Sequence, residues 1–266
     1  MSPILTAQRL HKLATWDKLS DCWYLIATVT LTVCNRPQEI PRLYHYALHT
    51  LYAKEQSNEL LYQKVDSILR KFKTIKDTGE DLSFNPYQMK DGDSEELFRI
   101  TDKFREIILK TAALSGLPKC INSMMQLKDH TPVLLRSRPN QLNRDKVENW
   151  DDYMAIQRRG KNYWDKVYTK ISKRVENQMS SSYPDLWTYT IENVYSPLLS
   201  YNDIITADET SLVVIASLVP QDVLPQLKGH VKGALNAGIS EEKVRETQEM
   251  ASEIESWVVR DGHVKL

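Results

Sequence analysis

The chain has 266 residues, 41% hydrophobic and 26% charged, which excludes a disordered composition and allows one large core or two modest ones. Thirty-five Lys and Arg balance 35 Asp and Glu, so no net field recruits nucleic acid or an anionic membrane. With only 8 glycines, a turn-rich β architecture and a phosphate-cradling glycine loop are both disfavoured.

The chain reads as helix after helix. Ser2-Pro3 offers a cap followed by proline at the first helical position, a start signal. No basic stretch followed by an apolar core opens the sequence, so no secretory signal is expected. Ser20 can cap the apolar segment Cys22–Cys34. That run falls short of the ~20 residues needed to cross a bilayer and is dotted with threonines, so it is expected to be a buried core helix, with no membrane span. Asp81 to Gly92, with Asn85-Pro86 and Asp91-Gly92, is expected to be a loop.

Asp93 followed by Glu96 makes a capping-box-like start for a helix reaching Ser115. Within it Leu97, Ile100, Phe104, Ile107, Ile108 and Leu114 recur at spacings of three and four, the stripe of a packed helical face. The polar stretch His130 to Trp150, with Pro132 and Pro139, is the best linker candidate. The expected organisation is therefore an N-terminal helical half over 1–130, a linker over 131–150 and a C-terminal helical half over 151–266. Tyr163, Val167, Ile171 and Val175 repeat every four residues, and Thr206 with Glu209 opens the helix Leu212–Val219. Three tetrapeptides, Ile40-Pro41-Arg42-Leu43, Leu117-Pro118-Lys119-Cys120 and Leu224-Pro225-Gln226-Leu227, each follow an apolar helix and a short break. Proline suits a first helical turn, so each reads as the second arm of a helical hairpin, and their recurrence suggests two pseudo-repeated helical units.

Several side chains invite a chemical reading. His45 and His49 lie four apart on one helical face, a ligand spacing, but no third ligand accompanies them and Glu39 is about one and a half turns away. A polar helix edge is preferred to a metal site. Cys22, Cys34 and Cys120 are odd in number and share no Cys-x-x-Cys spacing, which fits free thiols in a reducing compartment. Cys120, behind Pro118-Lys119 in a first turn, is the one whose acidity the helix dipole and lysine could raise. Arg136-Ser137-Arg138, and Arg158-Arg159 with Lys161, are short basic clusters able to hold an anionic ligand or simply to face solvent. Val264-Lys265-Leu266 resembles a peroxisomal address of the Ser-Lys-Leu type, with Val264 in place of the usual small residue. It implies an import receptor as partner and the peroxisome as location, with the cytoplasm or mitochondrion as alternatives.

The run His230-Val231-Lys232-Gly233-Ala234-Leu235-Asn236-Ala237-Gly238 resembles the carboxymuconolactone decarboxylase and alkylhydroperoxidase-D (AhpD) superfamily, in particular its fungal, peroxisomal-type members. Phe104 to Lys119, Arg159-Gly160-Lys161, Tyr168, Pro184-Asp185-Leu186, Tyr195-Ser196-Pro197-Leu198-Leu199 and Glu209-Thr210 extend the likeness over roughly residues 95 to 255. The resemblance implies an all-α, AhpD-like helical bundle that assembles as a homo-oligomer, with a small-molecule pocket between helices near His230 and no cofactor. In the peroxidase branch a Cys-x-x-Cys-x-x-x-His pattern works with a glutamate on the preceding helix. Anchored on His230, the two cysteine positions fall on Val223 and Gln226 and the glutamate on Ser211. Thiol peroxidase chemistry is therefore not expected.

The decarboxylase branch needs no thiol, and there His230 is the candidate acid or base for a small carboxylate or lactone, since its ordinary pKa of ~6.5 suits proton transfer. The alternative is a catalytically degenerate member acting as a peroxisomal binding or assembly protein, with His230 structural. A polar pocket at His230 favours the enzyme, and a space filled by side chains favours the alternative. Ser211 with His230 lacks the Gly-x-Ser-x-Gly elbow of a hydrolase.

Overall fold

Residues 3–52, 57–87, 93–138, 140, 142–144 and 146–261 are described by the computed structural model, and among them every regular element is a helix. The fold is all-α. In order come α1 (Ala7–Ala14), α2 (Trp23–Val33), α3 (Ile40–Tyr52), α4 (Asn58–Thr78), α5 (Asp93–Ser115), α6 (Leu117–Asp129), α7 (Trp150–Tyr168), α8 (Ser172–Ser182), α9 (Pro184–Tyr189), α10 (Ala207–Leu218), α11 (Leu224–Asn236) and α12 (Glu241–Asp261). Between α9 and α10 the segment Thr190–Leu199 winds as a π-helix.

Helix α2 is the axis of the larger core. All of its residues are buried, as expected of a helix that is apolar all round, and α1, α3, α5, α6, α10 and α12 pack around it. Two of its three buried threonines bond back to the helix, Thr28 Oγ1 donating to Tyr24 O at 2.7 Å and Thr30 Oγ1 to Ile26 O at 2.8 Å, while the Thr32 hydroxyl has no partner among the described residues. The larger core runs from Ile4 to Val258, so α2 and α5, before the expected linker, share it with α10 and α12, after it. A smaller cluster gathers Trp164, Tyr195, Leu199, Val214 and Leu218. Helix α10 serves both: Leu212, Val213, Ile215 and Ala216 face the larger core, Val214 and Leu218 the smaller.

Each proline tetrapeptide opens a helix, α3 at Ile40, α6 at Leu117 and α11 at Leu224, and each packs on the helix before it. The Thr206–Glu209 capping box is present: Glu209 N donates to Thr206 Oγ1 at 3.1 Å and Thr206 N to the Glu209 carboxylate at 2.8 Å. Other starts differ from the sequence expectation. Helix α1 begins at Ala7 behind Thr6, whose Oγ1 accepts from Arg9 N at 3.3 Å. Pro3 precedes it as non-helical chain, and Ser2 lies outside the described residues. Ser20 caps nothing, because it sits in the right-handed helical region at the end of a 3-10 turn rather than in the extended conformation a cap requires. The Asp93 side chain at the start of α5 is outside the described residues. The four-residue repeat through Val175 is broken at Thr169, with φ of +46°, which separates α7 from α8.

After α6 the described residues hold one short 3-10 turn, Val133–Leu135, and several of them are tied to the helices. Arg136 Nε donates to Thr131 O at 3.0 Å, and an Arg105 guanidinium N–H to Leu135 O. Arg144 reaches the Glu106 carboxylate at 2.7 Å and Pro197 O at 3.0 Å, and Asn143 O accepts from Tyr201 Oη at 2.6 Å.

Lys110 on α5 joins the two cores. Its ammonium is fully buried and donates to Leu198 O at 2.8 Å, Leu199 O at 3.3 Å and Tyr201 O at 2.9 Å, the carbonyls that end the π-helix. Glu106, one turn earlier, lies 3.4 Å from the same nitrogen. Burial pulls the Lys110 pKa down to about 8 against the pull of Glu106.

Helix α7 threads between the π-helix and α11 at two glycines. A Cβ on Gly160 would stand 2.4 Å from Ser196 Cα, and one on Gly233 would stand 2.8 Å from Val167 O. Both approaches involve backbone, so no side-chain rotation relieves them. Gly229→Ala, by contrast, would meet only Tyr168 Cε1 at an ordinary 3.7 Å. Gly160→Ala is expected to cost about 1–3 kcal/mol of unfolding free energy by overpacking, whereas Gly229→Ala leaves stability level or raises it by about 0.5–1 kcal/mol. Urea midpoints of the two variants measure this, and equal midpoints would refute the close approach at Gly160.

Candidate functional site

Helix α11 carries His230, placed by the Leu224-Pro225 start and by the pinch of Gly233 on α7. Its half-buried ring meets the edge of Tyr168 with centroids 6.0 Å apart, and no hydrogen bond or ion pair reaches it among the described residues. Tyr168 in turn packs, tilted by 37°, on Trp164 with centroids 4.1 Å apart, and Trp164 meets Trp187 and Tyr195 at centroid distances of 4.9 and 4.8 Å. The histidine therefore borders an aromatic wall. Burial lowers its pKa to about 4, leaving it neutral at ordinary pH and poor as a general acid.

The positions that the resemblance assigns to thiols and a carboxylate carry none of these groups. Val223 packs on the smaller cluster, Gln226 is exposed, and Ser211 Oγ donates to Ala207 O at 3.0 Å. No hydrogen bond joins Ser211 to His230 among the described residues.

A cleft of about 500 Å³ opens beside this helix, between α7, the start of α10 and the end of α11. Gly233 and Ala237 line it, and His230 does not. Arg158, Arg159 and Lys166 of α7 line it with Tyr163, Ser211 and the carboxylate of Asp208. Of the basic cluster read from the sequence, the two arginines reach the cleft while Lys161 pairs with Asp165 at 2.6 Å. Lys166 escaped that reading, although it lies on the Arg158–Asn162–Lys166 row set by four-residue spacing.

The remaining candidates are structural. His45 is fully buried, with Nδ1 at 2.5 Å from Tyr87 Oη and Nε2 at 2.9 Å from His130 O. His49 is also buried, and its Nε2 has no partner among the described residues. No group of three metal-binding side chains occurs among the described residues. The Cys120 thiol is pushed up by burial, not down, because Lys119 turns away to donate to Val33 O at 2.7 Å. Burial likewise pushes Cys22 up to about 12 and Cys34 to about 11, so none is a ready thiolate. Val264, Lys265 and Leu266 lie outside the described residues.

Four histidines are held neutral by burial: His45 and His130 have lowered pKa values, and His49 and His230 fall to about 4. Each takes up a proton near its ordinary 6.5 once the chain unfolds. Below that pH the unfolded state binds more protons than the native one. Stability is thus complete above about 6.5 and is lost as pH falls toward 4. Urea midpoints taken from pH 7.5 down to 4.5 should decline steadily, and a flat profile would contradict the burial of these rings.

No family model matches the chain, and no solved structure matches it. Two curated relatives do. Peroxisomal protein 2 of Saccharomyces cerevisiae is 40% identical, with the whole of both chains aligned. Peroxisomal protein 2 of Schizosaccharomyces pombe is 39% identical over 155 residues, which cover 58% of this chain and 70% of the relative. Identity of that degree over the full length of both chains places this protein in the Peroxisomal protein 2 family.

Proposed function

We propose that this is a peroxisomal binding or assembly protein, a carboxymuconolactone decarboxylase-like member that keeps the helical frame and has lost the chemistry. The observation that carries the reading is the setting of His230. It stands at an aromatic wall without a polar partner, is neutral, and is accompanied by Val223, Gln226 and Ser211 where thiols and a carboxylate would be needed. An acid–base step on a lactone or oxo acid requires a proton-exchanging pair facing one cavity, and among the described residues no hydrogen-bonded or ion-paired companion reaches His230. The names of both relatives support the peroxisomal location. Val264-Lys265-Leu266 is proposed as the address read by an import receptor, and self-association follows from the superfamily resemblance.

A broad lactone and oxo-acid screen should give no turnover for the parent and none for His230→Ala; turnover abolished by His230→Ala would overturn the loss of chemistry. A fluorescent fusion at the N-terminus should form peroxisomal puncta, and a tag placed after Leu266 should disperse them. Puncta that persist with Leu266 masked would reject the terminal address.

A further inference from the structure

The cleft along α7 is a built site whose charges are not consumed by the fold. Arg158 and Lys166 are exposed at its rim, and among the described residues neither side chain has an ion-pair or hydrogen-bond partner. They sit eight residues apart on one helical row, roughly 12 Å along the axis at 1.5 Å per residue. Arg159 lies between them and is held in place: its Nε donates to Ser200 Oγ at 3.1 Å and one Nη to Ser196 O at 3.3 Å. Behind it, Lys110 and Arg144 share the single carboxylate of Glu106. Against this positive wall the cleft offers one carboxylate, Asp208. The floor is apolar at Val167, and Tyr163 lines the cleft with its hydroxyl closed to solvent.

We propose that this cleft binds a small organic anion, its acidic head held by Arg158, Arg159 and Lys166 and its apolar body laid on Val167. This rests on the binding reading above and names its ligand class. A fixed arginine beside exposed cations suits a carboxylate or a phosphate head, because a guanidinium presents paired donors to either group. A cavity near 500 Å³ falls within the usual range for small-molecule sites. Asp208 narrows the choice by repelling a second acidic group near the start of α10.

Calorimetric titration of the full chain with hexanoate, hexyl phosphate and neutral hexanamide tests the site. Hexanoate or hexyl phosphate should bind at least tenfold more tightly than hexanamide, and the better of the two identifies the head group. The double substitution Arg158→Ala with Lys166→Ala, at exposed positions without partners, should remove that preference without lowering the melting temperature. Lys161→Ala, on the same helix but paired with Asp165, should keep it. Equal binding of hexanamide, absence of binding by both anions, or anion binding untouched by the double substitution would overturn the site. The last of these leaves a binding function elsewhere intact, whereas lactone turnover lost with His230→Ala would overturn the reading on which the site rests.

Discussion

A single buried ammonium holds the molecule's two cores in register. Taking Lys110 out of water costs several kcal/mol on its own, and the structure offsets this with three backbone carbonyls and the Glu106 carboxylate. The gain runs both ways. The final carbonyls of a helix have no partners within it, and inside a protein such groups are expensive to leave unpaired. A π-helix that ends at Leu199 in the interior needs a donor there, and Lys110 supplies it from α5. Arg144 completes the arrangement by bridging Glu106 to Pro197 O, so the strap after α6 is drawn over the same point. With a pKa near 8, the ammonium stays charged at neutral pH and keeps all its donors.

That anchor fixes the π-helix, and the π-helix fixes α7. Ser200 N reaches back five residues to Tyr195 O at 2.9 Å, the wider winding that lets Pro197 sit inside a helix without a clash. Gly160 allows α7 to lie directly on Ser196, and Gly233 brings α11 against α7 two turns further on, at Val167. With α7 held at these two points, Arg158 and Lys166 face the cleft that α7 forms with the start of α10 and the end of α11. The glycine of the His-x-x-Gly run accordingly has a packing reason for its place, independent of any chemistry at the histidine.

The sequence made the helices legible where their physics is local. Leu97, Ile100, Phe104, Ile107 and Ile108 are all buried in the larger core as their spacing implied, and Leu114 of the same stripe turns to the smaller one. The proline starts and the Thr206–Glu209 box were readable for the same reason, since a few neighbouring residues determine them. The π-helix was not. Its signal is one residue of extra winding, and Pro197 reads locally as a breaker. Thr169 was also hidden, because a four-residue apolar period continues through it while the backbone turns left-handed.

The candidate site divides along the same line. Glu106 and Lys110 look in sequence like an exposed pair four residues apart on a helix; only the tertiary fold buries them and gives them a task. Arg158 and Lys166 resemble ordinary solvated charges until α10 and α11 close the other walls of the cleft. His230 runs the opposite course, conspicuous in sequence yet half-buried in space against the edge of Tyr168. A lone titratable residue becomes catalytic when its neighbours share its task, and those neighbours come from other helices. For the proposed anion site, then, the neighbours that count are those α7 presents to the cleft, Arg158, Arg159 and Lys166, and His230 does not line it.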